Sequence, residues 1–471
     1  MNRRDSLQFL FVVVAAAFCD AGDDGGVRAA EKSWQAGFSR VVITPTEPMF
    51  ASGYGGRMKP SSGKIHDLYV RVAALTDPAG HSVLVVSLDL IGVPKTFADH
   101  VAAHCKKKHG IERADVMLCS SHTHCGPALD DKLSHMLALK DSDWAAIRRN
   151  QKRLNANVLK AIDAAVADRK PALLAAGNGT TGFAVNRRPP IGQGPTDHDV
   201  PVLRITSPDG KTVRGLIYGY ACHNTVLSFF HWCGDFAGFA SLDLEAAYPK
   251  SVALFFSGCG ADQNPLPRRK VELAQKYGRM LSTAVRKVAA LDVRSDRLQP
   301  VKGPAEAGHY KPLTPIRGNV KTAFRNIDLA LDDIPPKAVW ERELKSGNRY
   351  EKARARLLLD EIAAKGSLPK THAYPVQVWN LGGKITWVAL GGEVVVDYSL
   401  RLKRELGKQT TWVAGYANHV MAYIPSERIL KEGGYEGDRS MLYYQLPAKW
   451  KPGLERRIVD AAKALARKTS R

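Results

Sequence analysis

The sequence predicts an α/β protein: a mixed β-sheet core flanked by helices, with any functional site at the C-terminal ends of strands. Apolar, β-branched runs such as HSVLVVSLDLIG alternate with stretches of helical spacing such as PKTFADHVAAHCKKKHG. Several of those runs end in glycine-rich or polar loops, where ligands of open α/β sheets sit. No internal repeat or long linker divides the chain. With 471 residues and 45% hydrophobic content it can bury a large core, and one catalytic domain over residues 31–471 is the simplest organisation.

Taken in order, the first residues, MNRRDSLQFLFVVVAAAFCDAGDD, set two arginines before an apolar run from Leu7 to Phe18 and then small and acidic residues. This is the layout of a secretory signal peptide within residues 1–30, cleaved between about residues 19 and 30, and it predicts export to the periplasm or beyond. The run is too short to span a bilayer comfortably. Cys19 invites a lipid anchor, but Phe18 stands where a small residue is needed.

After Trp34, AGFSRVVITP reads as a strand stopped by proline, and ASGYGGR as a loop. LYVRVAAL and HSVLVVSLDLIG read as strands, PKTFADHVAAHCKKKHG as a helix, and ADVMLCSSHTH as the next strand. Residues 143–168 have long helical spacing. PALLAAGNGTTGFAV returns to strand character, and PVLRITSPDGKTVRGLIYGYACH reads as a hairpin turning at Asp209-Gly210. SVALFFSGCGADQNP is a strand entering a glycine-rich loop, residues 271–291 a helix, and residues 336–366 a charged helical pair. VQVWNLGGKITWVALGGE is a hairpin turning at Gly382-Gly383. LERRIVDAAKALARK closes the chain as a basic amphipathic helix that docks through Ile458, Ala461 and Leu465.

The formal charge of +22 comes from lysines and arginines spread along helical stretches, not gathered in one arm. That distribution argues against nucleic acid and leaves an anionic membrane surface, an acidic polysaccharide or plain solvent as what the surface meets. Cys105, Cys119, Cys125, Cys222, Cys233 and Cys259 remain in the mature chain. For an exported protein this even number allows one or more disulfides, and the lack of any C-x-x-C pair argues against a zinc ribbon.

Four strand-to-loop junctions carry metal-type donors: His122 and His124 in CSSHTHCGP, His223 in YGYACHNTV, Glu393 in WVALGGEVVV, and Tyr423 in YANHVMAYIP. On an extended strand His122 and His124 share a face. Two histidines and a carboxylate with an open position form the recurring catalytic zinc set, which activates water and polarises a carbonyl, the chemistry of a hydrolase. Glu393 is the most telling residue, because a carboxylate in so apolar a run is costly unless paired or metal-bound. Each of these residues also has an ordinary reading, as a strand-end polar group or core aromatic, and spacing alone does not assemble them. His66 and Asp67 read as a satisfied strand-start pair, and Asp89 as a residue placed to orient a ligand histidine.

The order AGFSRVVITP, SGYGGR, VSLDL, SSHTHCGP, GFAVNRRPP, DHDVPVLRI, YGYACHNTVL, GDFAGFAS, GGE followed by Arg401, YANHVMAY and GGYEG resembles the neutral, non-lysosomal ceramidase family along nearly the whole mature chain. The resemblance implies a zinc-dependent amidase that cleaves the N-acyl bond of ceramide to sphingosine and fatty acid. By position, His122, His223, Glu393 and Tyr423 are similar to the zinc ligands, and His124 to the histidine that contacts substrate or oxyanion. Tyr435 resembles the tyrosine facing the scissile amide, and Arg187 a substrate-contacting arginine. Two departures stand out. The family's Gly-Asp-x-Ser-Pro-Asn loop corresponds to GADQNP, which puts Gln263 where the catalytic serine is expected, and Asp262 or Gln263 then positions water or substrate. The chain also ends one helix after GGYEG, implying the catalytic domain without the family's C-terminal immunoglobulin-like domain. A smaller N-acyl amide fits as well as ceramide, and a catalytically silent lipid- or glycan-binding protein is the alternative from another class.

Overall fold

Each of three sheets is assembled the same way: an antiparallel run is closed by one parallel strand that a helix carries back. The computed structural model describes residues 33–290 and 311–470, so the signal peptide expected in residues 1–30 lies outside the described residues. In the first sheet β1 (Gln35–Val42), β2 (Tyr69–Thr76) and β3 (Ser82–Leu88) run antiparallel, and α1 (Lys95–His109) returns the chain so that β4 (Val116–Ser120) lies parallel to β3. The long α2 (Asp141–Ala167) packs on β1 and β2, and β5 (Lys170–Pro171) extends the edge beside β1.

The second sheet repeats the scheme. β6 (Leu173–Thr180) leads through the short β7 (Ala184–Asn186) to β8 (Asp199–Thr206) and β9 (Val213–Tyr220); β6, β8 and β9 are antiparallel neighbours. α3 (Asp235–Ala247) carries the chain to β10 (Val252–Ser257), parallel to β9. β11 (Gln263–Pro265) pairs with β7, α4 (Val271–Ala289) packs on α3, and β12 (Lys311–Ile316) forms the far edge. The third sheet starts with β13 (Val320–Ala330). After α5 (Lys337–Glu343) and α6 (Arg349–Lys365) come β14 (Thr371–Leu381) and β15 (Ile385–Leu390). A two-residue strand, β16 (Glu393–Val394), precedes α7 (Val396–Leu406), which returns the chain to β17 (Thr411–Ala414), parallel to β15. β18 (Tyr423–Ile424) pairs with β16, and α8 (Glu427–Glu432), α9 (Gly434–Gly437) and α10 (Leu454–Ser470) complete the described chain.

The strands read as nearly unbroken apolar runs because both of their faces are covered. In β2, Val70, Val72 and Ala74 pack toward the helices while Ala73 and Leu75 join a core shared by all three sheets, with Leu203, Ile217, Phe256, Trp379, Trp387 and Trp412. The second sheet's outer face packs under α3 and α4 through Tyr218, Phe236 and Leu281. α10 docks on β13 and β14 with Ile458, Ala461 and Leu465 buried, the face its spacing predicts.

Both predicted hairpins form, and their glycines are required. Gly210 sits at φ +73°, and Gly382 and Gly383 at +58° and +70°, the pair of positive φ values that a tight hairpin turn demands. Periodicity does not anticipate α3 or α7. Gly238 interrupts α3, where a Cβ would come within 2.5 Å of the His66 ring, and α7 begins inside the β-branched stretch Val394-Val395-Val396. The expected disulfides are not formed: all six cysteines among the described residues are free and buried. Burial pushes the Cys105, Cys119 and Cys125 thiols up to about 12, which leaves them unreactive. Among the described residues no helix is long and apolar enough to cross a membrane.

Candidate metal centre

Each sheet delivers one donor from the C-terminal end of a strand. β4 ends at Ser120, and the next two residues leave the sheet with their N–H groups donated to Leu88 and Leu90, so that His122 takes a left-handed backbone with φ +60°. Its Nδ1 lies 2.6 Å from the carbonyl of Ile91. His223, beyond β9, has its N–H on the carbonyl of Gln263 at 2.8 Å and its Nδ1 3.0 Å from the carbonyl of Gly260. A carbonyl accepts only, so each Nδ1 carries the proton and each Nε2 presents a lone pair. Those two Nε2 atoms stand 3.2 Å apart.

The third donor comes from the third sheet. Parallel pairing of β16 with β18 sets Glu393 directly beside Tyr423. Oε2 of Glu393 is 3.2 Å from Nε2 of both His122 and His223, and the Tyr423 hydroxyl is 3.3 Å from Nε2 of His223. The other carboxylate oxygen, Oε1, accepts from the Tyr444 hydroxyl. His122, His223 and Glu393 are all but fully buried.

This donor set tests directly whether a cation fits. Two imidazole lone pairs and a carboxylate oxygen converge with no donor hydrogen between them, and Glu393 Oε2 has no hydrogen-bond partner. A proton or a metal ion relieves that crowding. Burial, reinforced by Arg187, pushes His223 down to about 4, so near neutral pH the proton is not available from it. The residues present fit a metal ion with nitrogen and oxygen ligands.

The structure also brings in His124, for a reason other than strand alternation. The strand ends before either histidine, and the turn through Thr123 places Nε2 of His124 3.1 Å from Nε2 of His122. Nε2 of His124 is therefore as near to His122 as His223 is, and His122, His124 and His223 form one three-histidine cluster with its donor atoms within 4.8 Å of one another. The SGYGGR loop locks it in place. Arg57 donates to the carbonyls of His124, at 2.7 Å, and Ser52, the Tyr54 ring lies 4.7 Å away, and Gly53, at φ +94°, presses so close that a Cβ there would meet Nδ1 of His124 at 2.4 Å. Only glycine serves at that position.

Arg187 reaches the cluster through Tyr423, donating to its hydroxyl at 3.1 Å and to Glu436 at 2.8 Å. Tyr435 stands edge-on to Tyr423, with ring centroids 5.2 Å apart, and is 37% exposed, so it forms the rim. Beside it opens a groove of about 480 Å³ lined by Trp340, Met441, Leu442 and Tyr443, with Arg354 and Lys449 among its polar residues. Gln263 is fully buried and spends its amide on backbone: Nε2 donates to Ala221 and Cys259, and Oε1 accepts from Asp197 N–H. Asp262 accepts from Val396 N–H and the Asn186 amide, and burial pushes it up to about 6. Neither side chain is directed at the three-histidine cluster.

Asp89 does not orient a ligand histidine. It accepts from Arg71 and from Tyr69 N–H, while the backbone of Ile91, two residues further on, takes the His122 proton. His66 and Asp67 are locally satisfied, by Asp67's own carbonyl and by Thr44 and Lys64. Sequence reasoning misses Tyr444, Glu436 and Tyr416, whose hydroxyl is 3.3 Å from Nδ1 of His223 and whose ring lies 4.3 Å from that of His122. Tyr416 is the first residue of the quoted YANHVMAY segment, but nothing local marks Tyr444.

Comparison with solved structures places the fold. The neutral ceramidase from Pseudomonas aeruginosa matches with a TM-score of 0.68 at 19% identity, over 93% of this chain and 75% of that one. The chain has the neutral ceramidase fold. A ceramidase complexed with C2 matches similarly, with a TM-score of 0.67 at 18% identity, over 93% of this chain and 76% of the other. No family model matches the sequence, and no curated protein sequence does. At such identities the likeness establishes the neutral ceramidase fold, a mixed α/β architecture, and the chemistry rests on the side chains described above.

Proposed function

We propose that this protein is an exported, zinc-dependent amidohydrolase that cleaves an N-acyl amide, either ceramide or a related N-acyl lipid. The observation that carries the reading is the convergence of three buried acceptor atoms, from His122, His223 and Glu393, with no donor among them. Tyr423 completes the proposed ligand set. His122, His223, Glu393 and Tyr423 would hold the zinc ion, which when bound would activate a water at neutral pH and polarise the amide carbonyl.

The chain's own groups account for the rest of the chemistry. His124, at the edge of the cluster, is placed to hydrogen-bond the carbonyl oxygen as charge develops on it; a donor of this kind is worth about 3 kcal/mol. Partial desolvation at the rim pushes the Tyr435 hydroxyl above its ordinary range, so it stays protonated and serves as a second donor and as a proton source for the leaving amine. Arg187 fixes the Tyr423 hydroxyl and, through Glu436, the segment that carries Tyr435. Gln263 and Asp262 act as positioning residues. They hold the loop whose carbonyls, those of Gly260 and Gln263, orient His223.

The groove that begins at Tyr435 supports an acylated substrate, its apolar side chains taking the chain and its charged ones meeting the head. Those same polar residues favour, as a second reading, a smaller and more soluble N-acyl amide. Purified protein incubated with labelled ceramide and a panel of shorter N-acyl amines, with and without chelator, separates the outcomes. Chelator-sensitive release from ceramide supports the first reading and release from short amides alone the second. No release from any substrate overturns both and leaves a silent binding protein.

A further inference from the structure

A second group of metal-type donors lies where α1 meets α2 and shares no residue with the first. Nε2 of His104 is 2.8 Å, and Nε2 of His109 2.7 Å, from one oxygen of Asp163, Oδ1. The two rings stand edge to face with centroids 5.9 Å apart, and all three donor atoms lie within 4.8 Å of one another. Residues five apart on a regular helix point about 140° away from each other, so helical periodicity does not bring these histidines together. They meet because His109 is the last residue of α1, with Gly110 behind it in the left-handed conformation, φ +68°, and because Asp163 on α2 faces both rings.

We propose that His104, His109 and Asp163 form a second, exchangeable binding site for a divalent transition-metal ion, zinc in the first instance. Two imidazoles and one carboxylate suit zinc, nickel or copper; calcium and magnesium prefer an all-oxygen shell. Water fills the remaining positions, since the three side chains are partly exposed. Binding needs no net loss of protons from neutral rings. Without an ion each Nε2–H donates to Asp163, and neither Nδ1 has a protein partner among the described residues. Shifting each proton to Nδ1 turns both Nε2 atoms into lone-pair donors. Lys108 opposes the ion: its Nζ holds the other Asp163 oxygen at 2.8 Å, but its side chain is 54% exposed and free to turn toward water. The site is therefore weaker than a buried one.

Equilibrium dialysis of the full chain against zinc, with metal analysis, tests this. The unsubstituted protein is expected to bind two equivalents. His223→Ala, which disables the proposed catalytic centre, is expected to keep one, so failure of that assignment and of this one are distinguishable. His104→Gln retains a hydrogen-bond donor to Asp163 but not a ligand nitrogen. It is expected to lose the weaker equivalent with hydrolysis unchanged, and Asp163→Asn provides a second variant should His104→Gln fold poorly. Lys108→Ala is expected to tighten the weaker site roughly tenfold at low salt. A single equivalent in the unsubstituted chain that His223→Ala abolishes, or a second equivalent that survives both His104→Gln and Asp163→Asn, overturns the proposal.

Discussion

Two buried polar clusters flank the loop that carries Gln263, and they balance charge in opposite ways. Around Lys403 the chain supplies both signs itself: the ammonium donates to both oxygens of Asp197, at 2.8 and 2.7 Å, and to Asp199 at 2.8 Å, while Ser399 donates to Asp197. Around Glu393 three acceptor atoms converge, Nε2 of His122 and of His223 and Oε2 of Glu393, and that carboxylate oxygen is left without a hydrogen bond although Tyr444 serves the other. Both clusters are buried and both attach to the same loop through Gln263, whose carboxamide meets Asp197 N–H and whose carbonyl meets His223 N–H. Burial of charge is therefore not what marks a functional site here. The mark is an imbalance that the chain does not correct from its own side chains.

The comparison can be broken from either side. Glu393→Ala takes the anion out of the unbalanced cluster; the expected outcome is loss of bound zinc and a fall of at least about a thousandfold in kcat/KM, read by metal analysis beside an amide-release assay. An enzyme with full activity and full zinc after that change would sink the ligand assignment. Lys403→Met strikes the balanced cluster by stranding Asp197, and should cost about 3–5 kcal/mol in urea unfolding while leaving zinc content untouched. If zinc were lost as well, the two clusters would not be separable. A finer probe is Tyr444→Phe, which frees Glu393 Oε1 but keeps Oε2 in place. Chelator competition should then show zinc held about tenfold more weakly, with the melting temperature nearly unchanged.

The smallest expected effect concerns a half-exposed histidine paired with a buried carboxylate outside both clusters. The hydrogen bond that His81 Nε2–H donates to the Asp115 carboxylate raises the His81 pKa above its ordinary value of 6.5, in spite of partial burial. The protonated form is thus favoured by folding. Its contribution is complete below the unfolded value and fades as pH rises through the folded one. His81→Gln should flatten that decline, by no more than about 1 °C in Tm because the imidazole is 38% exposed and its ion pair is screened by solvent. A larger shift would show that the pair matters more than its exposure allows.

The fold was legible wherever local chemistry dictates local geometry. Gly210 and the Gly382-Gly383 pair announce hairpins because few other residues accept positive φ, and Ile458, Ala461 and Leu465 mark the docking face of α10 by spacing alone. Candidate site residues were legible as types at strand ends, and resemblance to neutral ceramidases put them in one set. Their mutual geometry was not. Strand alternation explains neither histidine of the His122-Thr123-His124 turn, since β4 has already ended. Tyr444 lies 51 residues from the carboxylate it orients, and Gln263 lies 42 residues from the Ala221 carbonyl it holds, so no window of sequence contains either partnership. Asp89 misled for the opposite reason: it is local to the site, but buried Arg71 claims it.

The six buried cysteines bear on how the protein is made. With none of them cross-linked among the described residues, the structure rests on packing and hydrogen bonds and has no covalent staples to be set by an oxidase or shuffled by an isomerase. Reductant in the buffer is therefore expected to leave the melting temperature of the described body unchanged, which a thermal scan with and without dithiothreitol checks.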